Sequence, residues 1–201
     1  DKGIFGYGQI STDQNITNLV SNVGVVASDV SGVGTGRRTL AACGYGEDKG
    51  IFGYGTPRCT TTNLVSNAGV VASDTTGVGT ARDGLAACEY GGDKGIFGFG
   101  FTGNNVDETN LVSNTGVVSS DVTGVGTDRR YPTACEYGGD KGIFGFGHDG
   151  SSYVSLTNLV SNAGVVATDT TGVGTGRYQL AATQYDGDKG IFGFGYYLPS
   201  Y

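Results

Sequence analysis

The octapeptide at residues 1–8, DKGIFGYG, returns with little change at Asp48, Asp93, Asp140 and Asp188. A chain that spells one segment five times is built from a repeated supersecondary unit. Its fold is then set by how neighbouring units bury each other's faces. A second anchor, TNLVSN, begins at Thr17, Thr62, Thr109 and Thr157, which gives periods of 45, 47 and 48 residues. That is longer than an ankyrin, tetratricopeptide or leucine-rich unit and matches a four-stranded propeller blade.

Each copy divides into four short apolar runs separated by turn residues, the pattern of an antiparallel meander. In the copy that starts after Arg82, the runs are GLAACEYG, KGIFGFG, TNLVSN and GVVSSDV. The first is joined to the second by the turn GGD, and the third to the fourth by Asn114, Thr115 and Gly116. Such residues tolerate the positive φ that tight hairpins demand. Val, Ile, Thr, Tyr and Phe carry the apolar load, Met and Trp are absent, and no stretch has apolar residues at helical spacing. The expectation is an all-β chain.

The runs differ in bulk, and bulk predicts their order within a blade. The first holds small side chains: Ala41-Ala42-Cys43, Ala86-Ala87-Cys88, Thr133-Ala134-Cys135 and Ala181-Ala182-Thr183. These suit an inner strand, where blades converge on an axis. The second holds Ile and Phe, as in Ile96-Phe97, to fill the space between sheets that pack roughly 10 Å apart. The glycines beside them need cover from Tyr7, Tyr54, Phe99, Phe146 and Phe194. The predicted fold is a β-propeller of four four-stranded antiparallel blades forming one domain. Three blades span residues 39–75, 84–122 and 131–170. A composite fourth joins 179–195 to 17–30, closing the ring and removing open sheet edges. Residues 1–8 are then a surplus second strand, which opens a route to homo-oligomers by strand exchange.

An Arg before the inner strand (Arg38, Arg82, Arg130, Arg177), the YGGD turn, a hydrophobic-aromatic run ending in Gly and a two-strand hairpin together resemble the kelch family of β-propellers. The resemblance covers essentially the whole chain. It departs from kelch where the second strand ends Gly-aromatic-Gly and where the outer strand lacks Trp. The wording DKGIFGFG…TNLVSN…GVVATDTTGVGT also resembles repeat segments in predicted structural proteins of tailed bacteriophages. That likeness implies a virion or other extracellular setting.

The net charge is −7 and the twelve Lys and Arg are spread two or three per repeat, which disfavours nucleic acid as a partner. No apolar run is long enough for membrane insertion. No cofactor motif is present: GVGTGR precedes a small-residue strand where a phosphate site would need a helix. His148, Asp149 and Ser151 are adjacent in sequence, but adjacency is not triad geometry, so no catalytic residue is assigned. Cys43, Cys88 and Cys135 occupy equivalent places, and Thr183 breaks the set, so they read as packing residues and no metal site is expected.

The connectors SGVGTGR, TGVGTAR, TGVGTDR and TGVGTGR are nearly constant, whereas the loops after the second strand, QISTDQNI, TPRCTT, FTGNNVDE and HDGSSYVSL, are wholly unlike. Both emerge on one face of a meander. Unlike loops on a constant scaffold make a recognition surface. Its candidate residues are Arg58, Asn104, Asn105, Asp107, His148, Asp149 and Tyr153. The expected function is a non-enzymatic structural or attachment module that contacts other structural proteins or surface glycans. A propeller lectin is the main alternative, and an intracellular kelch-type interaction domain is a further one.

Overall fold

The computed structural model describes residues 2–197. Thirteen strands and no helix make up the described chain: β1 (Gly3–Gly6), β2 (Thr17–Val20), β3 (Ala41–Tyr45), β4 (Lys49–Gly53), β5 (Thr62–Val65), β6 (Ala86–Tyr90), β7 (Lys94–Phe101), β8 (Asn105–Val112), β9 (Thr133–Tyr137), β10 (Lys141–Gly145), β11 (Thr157–Val160), β12 (Ala181–Tyr185) and β13 (Lys189–Gly193). They form five antiparallel sheets in chain order: I (β1-β2), II (β3-β4-β5), III (β6-β7-β8), IV (β9-β10-β11) and V (β12-β13). The all-β expectation is met.

Register follows the bulk of the runs. In sheet II, Phe52 stands opposite Ala42 and Asn63, and Ile51 opposite Cys43 and Leu64. Sheet III repeats this with Phe97 between Ala87 and Asn110, and Ile96 between Cys88 and Leu111. A strand's alternation therefore gives each sheet a Phe face and an Ile–Cys face. The Phe face meets the preceding sheet: a side chain added at Gly53 would strike Phe97 at 2.7 Å, and one at Gly98 would strike Phe144 at 2.7 Å. The Cys face meets the following sheet, where Cys43 covers Gly95 and Cys88 covers Gly142. Phe97, Phe144, Ile96 and Val112 are fully buried as a result.

The three-residue hairpin loop from the first to the second run has positive φ at its first two residues, Gly46 and Glu47, Gly91 and Gly92, Gly138 and Gly139, Asp186 and Gly187. This left-handed backbone lets the chain reverse within three residues, between paired Tyr45 and Lys49 in sheet II.

The fourth run of each repeat departs from expectation. It is not a full strand but is tied to the third by two bridges, Thr62↔Thr75 and Val65↔Val71 in sheet II, Thr109↔Val122 and Val112↔Val118 in sheet III. Pairing slips by one residue between the two bridges, so each outer run carries a bulge. The cause is a buried asparagine. Asn63 Nδ2 donates to Ala72 O and Asp74 Oδ1, and Asn110 Nδ2 to Ser119 O and Asp121 Oδ1, filling the gap with side-chain bonds.

The composite fourth sheet is not formed. β2 is paired with β1, Ile4 opposite Leu19, and β12 and β13 pair only with each other among the described residues. The octapeptide at the N-terminus is thus a working strand, not a surplus one (its residue 1 lies outside the described residues). The physical reason is local: a hairpin joining 3–6 to 17–20 forms without the long-range closure that the composite sheet needs. Inner strands of successive sheets still run side by side. Cys43, Glu89, Glu136 and Gln184, from four sheets, border one cleft of about 770 Å³ together with Lys2 and Ile4 of sheet I.

Candidate recognition edge

Three of the four connectors end on an arginine that enters the protein, Arg37, Arg82 and Arg129, all essentially without solvent contact, while Arg177 of the fourth stays partly exposed. The sequence reading takes Arg38 and Arg130 as the repeat arginines; the structure moves that role one residue earlier in both. Arg82 Nη2 donates to Asn110 Oδ1 at 2.6 Å, its Nε donates to Phe99 O at 2.9 Å, and its guanidinium lies 4.5 Å over Tyr54. Arg37 and Arg129 repeat the asparagine bond and the stacking, on Asn63 with Tyr7 and on Asn158 with Phe99, but not the Nε bond. The aromatic beneath each guanidinium sits at φ between 63° and 67°, a region that costs a bulky residue about 1–2 kcal/mol. Stacking and burial under the arginine offset that cost. Burial tends to lower the Arg129 pKa, and the nearby Asp169 carboxylate opposes it.

With the arginine fixed, the next residue is delivered to the loop edge, half-exposed in three repeats and buried at Asp83. Arg38, Asp83, Arg130 and Tyr178 bridge Thr56, Phe101, His148 and Tyr196, the first residues of the loops after the second strand. Connector ends and unlike loops therefore share one edge, and the residues meeting there differ in every repeat.

Along this edge Arg58 lies 4.7 Å over the Phe101 ring, and Arg130 lies 5.0 Å over the same ring. Arg58 Nη1 also donates to Thr102 O at 3.2 Å. Asn105 Nδ2 donates to His148 O at 3.0 Å, tying the loop after β7 to the loop after β10. His148 meets Tyr153 edge-on at 5.2 Å, and Tyr153 stacks on Tyr178 at 4.9 Å with 11° between planes. Tyr196 and Tyr131 close the cluster, 5.4 Å and 5.9 Å from Tyr178.

Of the predicted residues, Arg58, Asn105, His148 and Tyr153 fall into one row. Asn104 presents its carbonyl to Thr102 within its own turn. Asp149 caps the amides of Ser151 and Ser152 at 2.7 Å. Asp107 turns toward the scaffold and accepts from Gly126 N at 3.2 Å. His148 Nδ1 accepts from Gly150 N, so His148, Asp149 and Ser151 are bound to backbone and do not form a proton relay. Phe101, Tyr131, Tyr178 and Tyr196 escaped the sequence reading, which took Arg130 for a scaffold arginine. A signal was present for Arg130 and Tyr178: they stand in the dipeptides RR, RD, RR and RY that close nearly constant connectors with unlike residues.

The three repeat cysteines belong to the scaffold. Burial pushes the Cys43, Cys88 and Cys135 thiols up from their ordinary value. Among the described residues no three His, Cys, Asp or Glu side chains are placed to hold a metal, and no helix is long and apolar enough to cross a membrane. No protein-family model and no curated protein matches the chain.

Proposed function

We propose that the chain is a non-enzymatic structural or attachment module whose sheets serve as blades of a kelch-like propeller and whose loop edge contacts proteins or surface glycans. The observation that carries this reading is the contrast on the edge itself. Three of the four nearly constant connectors anchor buried arginines of one kind, yet what the edge exposes changes from Arg58–Phe101–Arg130 to His148–Tyr153–Tyr178–Tyr196. A scaffold under packing constraint carries an edge that is free of it. The inner strands bordering one cleft support blade-like packing. The virion or extracellular setting rests on the likeness of the repeat wording to phage structural segments. Immunogold electron microscopy of particles carrying this chain tests that setting. Label on the particle surface is expected, and label confined to free cytosolic protein overturns it.

A lectin reading is favoured by one feature, the stacked tyrosines. Aromatic faces pack against the apolar faces of sugar rings while Asn and Arg donate to hydroxyls. A glycan array with the intact chain, beside the double variant Tyr153→Ala/Tyr178→Ala, separates the two. Binding lost in the variant selects the lectin, and no binding by the intact chain leaves protein contacts.

A further inference from the structure

One seam recurs between successive sheets. A ring from the later sheet sits on a glycine of the earlier one: Phe52 on Gly6, Phe97 on Gly53, Phe144 on Gly98 and Phe192 on Gly145, each within 2.7–3.0 Å of where a side chain would begin. The same ring meets the aromatic after that glycine, in the pairs Tyr7–Phe52 at 5.1 Å, Tyr54–Phe97 at 5.2 Å, Phe99–Phe144 at 5.2 Å and Phe146–Phe192 at 5.5 Å. On the inner strands, Cys43, Cys88 and Cys135 lie over Gly95, Gly142 and Gly190.

Each end of the row keeps one half of this seam. At sheet V, a side chain at Gly193 would meet nothing within 4 Å among the described residues, and Phe194 is 88% exposed. Ile191 on the same outward side is also exposed. At sheet I, Phe5, the counterpart of Phe52 and Phe97, is 65% exposed, and Gly3 meets only Val20. The glycine seat and its aromatic wall are at one end, and the ring that fills such seats is at the other.

We infer that the outward face of β12–β13 binds the outward face of β1–β2 of a second copy, head to tail, with Phe5 of one copy on Gly193 and against Phe194 of the other. Continuity with four internal seams identifies the occupant: β1 and β13 belong to the same repeat position, and the missing partner of each face is the other. Both terminal hairpins stay intact. The contact uses unlike faces, so it propagates into a longer row or closes a ring and does not produce a symmetric dimer. Apolar faces of this kind are what a soluble chain covers.

Sedimentation velocity between about 1 and about 100 µM, the range in which a modest interface populates its complex, reads the association. The weight-average mass of the unmodified chain rises with concentration. Gly193→Val adds a side chain where the copy itself has room, so its thermal melt stays unchanged while association weakens at least about tenfold. Phe5→Ala does the same from the opposite end. An equimolar mixture restores one good contact, the Gly193 face of the Phe5→Ala copy with the Phe5 face of the Gly193→Val copy, and yields a one-to-one heterodimer and nothing larger. A monomeric parent at about 100 µM overturns the inference, as does a mixture without heterodimer. Association that survives Phe5→Ala also overturns it, since copies exchanging β2 into the edge of β13 do not need that ring.

Discussion

Arg82 shows why the repeat tolerates so little change at its centre. A fully buried guanidinium is held by the Asn110 oxygen, the Phe99 carbonyl and the face of Tyr54, with Asp121 Oδ1 3.6 Å away. Removing Asn110 leaves the buried Arg82 Nη2 without its acceptor, so Asn110→Ala is expected to cost about 1–3 kcal/mol, read from urea denaturation. The carboxylates of the same network set the acid limit. Burial works to raise Asp74, Asp121 and Asp169, but bonds from Asn and Thr and the adjacent arginine charge outweigh it, and all three end below the usual 3.8. A lowered folded pKa contributes stability that is complete above the unfolded value and is lost as pH falls through the folded one. Glu89 has the opposite sign: burial raises its carboxyl above the usual 4.5, so its charge costs stability at neutral pH. Glu89→Gln is therefore expected to raise the melting temperature at pH 7, with the gain vanishing below the ordinary carboxylate range; an unchanged or lowered Tm at pH 7 contradicts this.

At the scale of strands and turns, glycine does two different jobs. In the hairpins it supplies left-handed backbone, and Glu47 at φ 68° is a residue that lacks this freedom. Glu47→Gly is expected to stabilise the chain by about 1 kcal/mol in equilibrium unfolding. In the second strands glycine supplies space. Gly98→Val drives a branched side chain into Phe144 and is expected to cost about 1–3 kcal/mol, whereas the chemically identical change at Gly193 should be silent in the monomer. The bulged outer run is an equally local consequence, because an asparagine side chain takes the carbonyl that a regular ladder would use.

For the molecule as a whole, burial grades along the row. The strands of sheet III are packed on both faces, with Ile96, Phe97 and Val112 fully buried, while β12 and β13 are mostly exposed. Hydrogen exchange should accordingly be slowest in β6–β8 and fastest in β12–β13, and a second copy seated on sheet V should slow β13 first. Equal protection across the five sheets would show that the end faces are already covered in the monomer.

Period, strand order, turn chemistry and the division into small and bulky runs were legible in the sequence, because each is written in residues close along the chain. The unlike loops were legible too, and four of their seven candidate residues do fall into one row. Other features were not. Which of two adjacent arginines is buried depends on the register of the connector against an asparagine roughly 30 residues later, as for Arg37 and Asn63. The left-handed aromatics became readable only with a guanidinium above them. Whether β2 joins β1 or β13 is a choice between strands of nearly the same sequence. Local letters cannot decide it, and the short loop from β1 to β2 does.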